Sequence, residues 1–256
     1  MKNSIVKIQE RQEKLLSLLK DKNEHSVTEL SEKLNISETT IRRDLISLAQ
    51  MGKIIRLHGK AVIQTTGEID TSDNEEIELI KEKLAKTAAS FVKNGNIVFI
   101  NSSSAALDAV KYLIDKRVTI ITNNVKIATL DHNPESSIIL SGGEIRFPKE
   151  ALIGATAENF FSSMRSDISI IGCYGISAEN GLTTPVIHEA KINEIIVKQT
   201  NGIVVVIADY RKIGHSANFK SCDLEHVNYL ITDSFANQES LKKIEDCGVQ
   251  IIQIQI

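Results

Sequence analysis

The sequence predicts an α/β chain in two parts: a small N-terminal module of short helices closed by a hairpin, then a larger, mostly parallel α/β domain. Three observations carry this. From Ile97 onward, unbroken runs of isoleucine and valine alternate with helical stretches, and strands that are apolar throughout belong to parallel sheets covered on both faces. Before Gly52, amphipathic helical segments follow one another across breaks of a few residues. Between the two parts, Thr65 to Glu78 is polar and acidic, with Gly67, Ser72 and Asn74, and reads as a linker. The expected division is a head over residues 1–63, a linker over 64–74 and a second domain over 75–256.

The elements follow in order. Ile5, Ile8, Leu15, Leu16, Leu18 and Leu19 stand among charged residues, the pattern of an amphipathic helix. Ser26 and Glu29 have capping-box spacing, with Leu30 and Leu34 continuing an i, i+4 stripe. After the break at Asn35-Ile36, Ser37 can cap a third helix running to Met51, with Gly52 beyond its end. Lys53 to Ile63 alternates and bends at Gly59, as a small hairpin does. In the second part, helices are expected over Glu75–Lys93, Ala105–Ile114, Val125–Leu130, Ala157–Met164, His188–Gln199 and Ser240–Asp246. Strands are expected at Ile97–Ile100, Val118–Ile121, Ser137–Leu140, Ile168–Ile171, Ile203–Ala208, Tyr229–Thr232 and Val249–Ile254.

Composition narrows the function classes. The chain has 256 residues, 42% of them hydrophobic and 25% charged, enough apolar content for a core and too much for wholesale disorder. No apolar run approaches the roughly 20 residues of a membrane-spanning helix, and Met1-Lys2-Asn3-Ser4 opens no secretory signal. Three scattered cysteines, Cys173, Cys222 and Cys247, form neither a disulfide framework nor a zinc spacing. A reducing, cytoplasmic protein without metal or cofactor is expected. The net charge of −3 conceals an asymmetry: residues 1–60 carry 12 basic and 8 acidic side chains, a net of +4, so the remainder carries −7. A basic head on an acidic body suits a polyanion met by the head alone.

The third helix says how. Ile41, Leu45 and Leu48 fall at i, i+4, i+7 and face a core, which leaves Ser37, Thr39, Thr40, Arg42 and Arg43 at or near the other face, toward the helix start. That end of a recognition helix meets base edges in the major groove of double-stranded DNA. Arginine can bond guanine bidentately, and threonine can bond a base edge or touch a thymine methyl. Lys53, Arg56, His58 and Lys60 of the hairpin are then offered to the phosphate backbone. The same pattern also fits a three-helix interaction module in which Arg42 and Arg43 are solvated or pair with Glu38 and Asp44. Beyond its spacing, the segment Ser37-Glu38-Thr39-Thr40-Ile41-Arg42-Arg43-Asp44-Leu45, followed by Gly52, Arg56 and His58-Gly59-Lys60-Ala61, resembles the DeoR family of winged helix-turn-helix regulators. In that family an S-x-x-T-[IV]-R-R-D-L helix precedes a G-x-[IL]-x-R-x-H-G-G-A wing; here Lys60 replaces the second glycine.

The resemblance extends through the second part. It implies a sensor domain with a fold similar to ribose-5-phosphate isomerases, joined to the DNA-binding head, and a repressor of a carbohydrate operon released by a phosphorylated sugar. Its landmarks are Asn101-Ser102-Ser103-Ser104, Thr122-Asn123, Ser141-Gly142-Gly143-Glu144, Gly172 to Ser177 (including Gly175), Gly181-Leu182-Thr183-Thr184, Glu189, and Asp209 to Gly214 (including Lys212). Each is read as sitting where an expected strand ends, and in open parallel sheets the ligand crevice lies at the strand C-termini. Hydroxyls and backbone N–H groups of Ser102 to Ser104 can hold a phosphate, Lys212 can balance its charge, and Asn123, Glu144 and Asp209 can bond sugar hydroxyls. The bland readings stand beside these: a serine run before a helix is turn chemistry, Gly142-Gly143 a tight turn, Asp209 a cap. The family's phosphate loop commonly reads [DG]-x-G-[TS]-T; this chain has no glycine there, which a loop free of positive φ permits. His188 and His215 lack a second ligand at metal spacing, Cys173 lacks a paired histidine, and Phe160 and Phe161 read as packing or subunit-contact residues. An isomerase with an extra N-terminal module, Glu144 as its base, is the alternative. One recognition helix spans few base pairs, so a homo-oligomer is expected.

Overall fold

The computed structural model describes residues 11–19, 25–38, 40, 41, 44, 45, 48, 54–57, 60–63, 71–147 and 149–256; of these, 25, 26, 54–57, 60–63 and 71–75 are described by backbone alone. The chain divides into two compact units, residues 1–75 and 76–256.

In the first unit, α1 covers residues 11–19, β1 His25–Ser26 and α2 Val27–Leu34; the described residues between 38 and 48 are helical and form α3, followed by β2 Ile54–Leu57 and β3 Lys60–Ile63. The apolar spacing converges as expected: Leu15, Leu19, Val27, Leu30, Ile41, Leu45 and Leu48 form one buried cluster. Each such burial is worth roughly 1.5–3 kcal/mol. Asn35, at φ 52, turns the chain out of α2, a conformation asparagine tolerates better than most residues. Ser37 then starts α3, its hydroxyl against the Thr40 hydroxyl at 2.9 Å. Asp44 is buried and paired with Arg11, whose Nη2 donates to Oδ1 at 2.9 Å, tying α3 to α1. The hairpin of β2 and β3 gains β1 as a third, antiparallel strand.

The second unit begins within α4, Thr71–Ala89. The helix starts four residues ahead of the expected Glu75, within the stretch that composition marks as linker; acidic residues are equally at home at the positive end of a helix. Then come β4 Ile97–Ile100, α5 Ser104–Asp108, β5 Thr119–Thr122, β6 Ser137–Leu140, β7 Glu144–Arg146, β8 Ala151–Ile153, α6 Ala155–Ser162, β9 Ser166–Gly172, β10 Gly175–Ser177, β11 Gly181–Thr184, α7 Ile187–Lys198, β12 Thr200–Ile207, β13 Phe219–Cys222, β14 Tyr229–Asp233, α8 Gln238–Asp246 and β15 Gln250–Ile254.

Seven strands make one fully parallel sheet in the order β15-β14-β12-β9-β4-β5-β6. Side chains alternate across it, as strand geometry requires. Phe99, Ile121, Ile171, Val204 and Val206 pack with α6, α7 and α8 on one face. Val98, Ile100, Ile120, Ile170 and Val205 pack with α4 and α5 on the other. Both faces are thus covered, which is why the strands read as unbroken apolar runs. The chain proceeds from β4 outward to β6, then returns to place β9 on the other side of β4. The β4/β9 boundary is therefore the topological switch point, where the loops after adjacent strands part and leave a crevice. The antiparallel sheet β10-β11-β13 and the hairpin β7-β8 complete the unit.

Candidate functional site

In the first unit the structure places Ser37 and Thr40 at the exposed start of α3, with the Thr40 backbone N–H 3.4 Å from the Ser37 hydroxyl. Thr28 Oγ1 donates to Glu38 at 2.8 Å across the turn between the helices. Arg56 on β2 pairs in register with Ala61, and Lys60 opens β3 opposite Leu57. Thr39, Arg42, Arg43, Lys53 and His58 lie outside the described residues. Asp44, offered by sequence as a partner for the arginine pair, is engaged by Arg11. What the fold secures is the core face of α3 and the capped start of the helix on its other face.

The second unit opens a cleft of about 430 Å³ over the β4/β9 switch point. Loops following four neighbouring strands line it: Asn101 to Ser104 after β4, Asn124 and Lys126 after β5, Cys173 and Tyr174 after β9, Arg211 and Lys212 after β12. Thr184 at the end of β11, Glu189 and Asn193 on α7, Lys81 on α4 and Lys149 between β7 and β8 complete the wall. Among the described residues five cations thus face one carboxylate, Glu189.

Asn101 fixes the serine loop. Its Nδ2 donates to Gly172 O at 2.8 Å and to Asn193 Oδ1 at 3.0 Å, while its Oδ1 accepts from Gly172 N at 3.1 Å and Ser103 N at 3.3 Å. Ser103 has φ −67, so the loop does without the glycine of the usual pattern. A glycine is required opposite instead: a Cβ on Gly172 would fall 2.0 Å from Ser103 Oγ.

Asp209, 1% exposed, stands behind the cationic wall and does not line the cleft. Its Oδ1 accepts from Arg211 Nε at 2.8 Å, its Oδ2 from Arg211 Nη2 at 3.1 Å, and Lys212 Nζ lies 3.6 Å away. Burial alone would raise this carboxyl, but the Arg211 hydrogen bonds and the two positive charges hold it below its ordinary value. Burial likewise pushes the Cys173 thiol up to about 11, against the pull of Lys212; a thiol so protonated is a poor nucleophile at neutral pH.

The other residues marked from sequence lie elsewhere. Thr122 is buried and accepts from Asn124 N at 3.1 Å. Asn123 turns into the protein, donating to Leu152 O at 3.1 Å. Gly142 and Gly143 have φ of +69 and +113, and a Cβ on Gly143 would meet Ile153 O at 2.5 Å: they form a turn. Glu144 opens β7 on the surface, away from the cleft, and so is not placed as an isomerase base. Gly175 packs against the His215 backbone, and Thr183 Oγ1 donates to Gly175 O at 3.2 Å. Lys81, Asn124, Lys126, Lys149 and Asn193 escaped sequence reasoning, while Arg211 fell within the Asp209 to Gly214 landmark without a role of its own. Asn193 lies at i+4 from the landmark Glu189 on the buried face of α7 and could have been found by that spacing; Lys81 and Lys149 carried no signal.

Comparison with known proteins bears on both units. Residues 11–66 match the DeoR-like helix-turn-helix domain, and residues 78–234 match the DeoR C-terminal sensor domain. The chain belongs to the DeoR family. It is similar to the HTH-type transcriptional regulator GolR of Listeria innocua, 35% identical over 247 residues, which cover 94% of this chain and 97% of that protein. It is also similar to the glycerol-3-phosphate regulon repressor of Escherichia coli K12, 28% identical over 94% of this chain and 97% of that one. Among solved structures it is similar to ribose 5-phosphate isomerase A of Methanocaldococcus jannaschii, at 18% identity and a TM-score of 0.38, covering 53% of this chain and 54% of that one. This DeoR-family chain is a DNA-binding transcription regulator: α2 and α3 form its helix-turn-helix, and the cleft lies in its sensor domain. Among the described residues no helix is long and apolar enough to cross a membrane, and no cluster of His, Cys, Asp and Glu is arranged to hold a metal.

Proposed function

We propose that this regulator is a repressor of a carbohydrate-metabolism operon, released from its operator by a phosphorylated sugar bound in the cleft. The cleft itself carries the reading: at the switch point of a parallel sheet, three serines and five cations face one carboxylate. Such a lining favours a dianionic phosphate over a neutral sugar. The name of the Escherichia coli relative, a glycerol-3-phosphate regulon repressor, points the same way. The division of labour is a head over residues 1–63, a connection over 64–74 and the sensor over 75–256. In the head, Ser37, Thr39, Thr40, Arg42 and Arg43 face base edges, while Lys53, Arg56, His58 and Lys60 hold phosphates. The protein acts as a homo-oligomer, because one helix reads too few base pairs alone, and it performs regulation without catalysis.

Ser103→Glu tests this. A carboxylate placed against the anion site should abolish release of operator DNA by phosphorylated sugars and leave operator affinity unchanged, read by fluorescence anisotropy. A variant that still releases normally places the anion elsewhere. A neutral sugar that releases DNA as well as its phosphate ester removes the phosphate from the account.

A further inference from the structure

Among the described residues Glu189 is the one acid lining the cleft, 5% exposed on α7. Its Oε2 accepts from Lys149 Nζ at 3.0 Å and Thr184 Oγ1 at 3.1 Å. Its Oε1 is buried with no hydrogen-bond partner among the described residues; Arg146 Nη1 lies 3.5 Å away, an ion pair only. A carboxylate has acceptor sites for about four hydrogen bonds, and a buried acceptor left short of partners is costly to keep.

A carboxylate can only accept, and it repels a second anion. The group that completes it is therefore a neutral donor, and Lys149 already supplies the cation. Position says which donor. Glu189 lies four residues before Asn193 on α7, a rise of about 6 Å, and Asn193 accepts from Asn101 at the head of the serine loop. The acid thus stands about one helical turn from the anion site. Its outer cover is Arg146 and Lys149, long side chains of the β7-β8 hairpin that are 32% and 49% exposed and so can yield to an entering group.

We propose that Glu189 reads a hydroxyl: a ligand held by its phosphate at Ser102 to Ser104 donates a hydroxyl to the Glu189 carboxylate. The cleft then selects phosphate esters of a polyhydroxylated chain over inorganic phosphate and over alkyl phosphates. This rests on the anion-site reading above, and its test separates the two.

Calorimetry on the full chain compares inorganic phosphate, n-propyl phosphate, glycerol 3-phosphate, ribose 5-phosphate, fructose 1-phosphate and glucose 6-phosphate. The tightest hydroxylated ester should bind about tenfold or more tightly than n-propyl phosphate. In Glu189→Ala that preference should vanish, while inorganic phosphate binds as well or better because a negative charge has left the cleft. Glu189→Met, which fills the volume without an acceptor, serves if the alanine variant misfolds, and the wild-type comparison needs no variant. If n-propyl phosphate matches every hydroxylated ester, or the preference survives both substitutions, the role of Glu189 is overturned and the anion site stands. If no phosphate compound binds, the anion site fails and the proposal falls with it.

Discussion

At Asp209 one buried carboxylate holds two cations of the cleft wall. Because its folded pKa is depressed, the stability it contributes is present above the ordinary carboxylate value, about 3.9, and is lost as pH falls through the lower folded value. Asp209→Asn should cost about 1.5–3 kcal/mol at neutral pH, toward the low end because Arg211 is half exposed. The variant should also flatten the acid limb of a urea-midpoint profile; an unchanged limb would remove Asp209 from the account. Gly172 allows a second test. Gly172→Ala pushes a methyl into Ser103 and should weaken inorganic phosphate binding, and adding Ser103→Gly should restore room, a non-additive cycle. Additive losses would mean that the two positions do not meet. Sequence marked Asn101 to Ser104 and Lys212 because such groups follow apolar runs. Asn123 turns away from the cleft because residues beyond a strand alternate in direction: Asn124, one step on, faces the cleft and ties to Ser102 O at 3.2 Å.

Among the elements, those with strong periodicity were legible: β4 and β6 fall on their expected residues, and α7 and β15 within one residue of theirs. The hairpin β7-β8 and the sheet β10-β11-β13 were not: β7, β10, β11 and β13 mix glycine or polar residues with apolar ones and β8 has only three residues, so no apolar run like those of β4 and β6 marks them. This matters for the site, since the hairpin's turn carries Lys149. The glycine pair ahead of β7, which sequence offers as effector-binding residues with a tight turn as the bland reading, forms that turn. Helix α8 was seen from Ser240, but it starts at Gln238 because Asn237 caps it, accepting from Ser240 N at 2.9 Å. Asn237→Ala should therefore cost about 1 kcal/mol, seen as a lower urea midpoint with an unchanged m-value. No measurable shift would mean that water replaces the cap.

For the whole molecule, the proposed function is a coupling of two binding events. The head's net charge of +4 over residues 1–60 makes operator affinity depend on salt, each phosphate contact adding about 0.9 to the logarithmic slope. A ligand in the cleft lowers that affinity only by binding the DNA-competent state less tightly than the other. Linkage then fixes the reverse effect: operator DNA must weaken the ligand by the same factor, typically 5- to 150-fold, or about 1–3 kcal/mol. The measurement takes the tightest-binding phosphate ester of the panel and titrates operator with and without it, then titrates the ester with and without saturating operator, at one salt concentration. Equal factors are expected. An ester that binds while neither affinity moves is a passenger in the cleft and not the effector. Unequal factors would mean that oligomeric state changes between the two titrations, a change that sedimentation of the same samples would reveal.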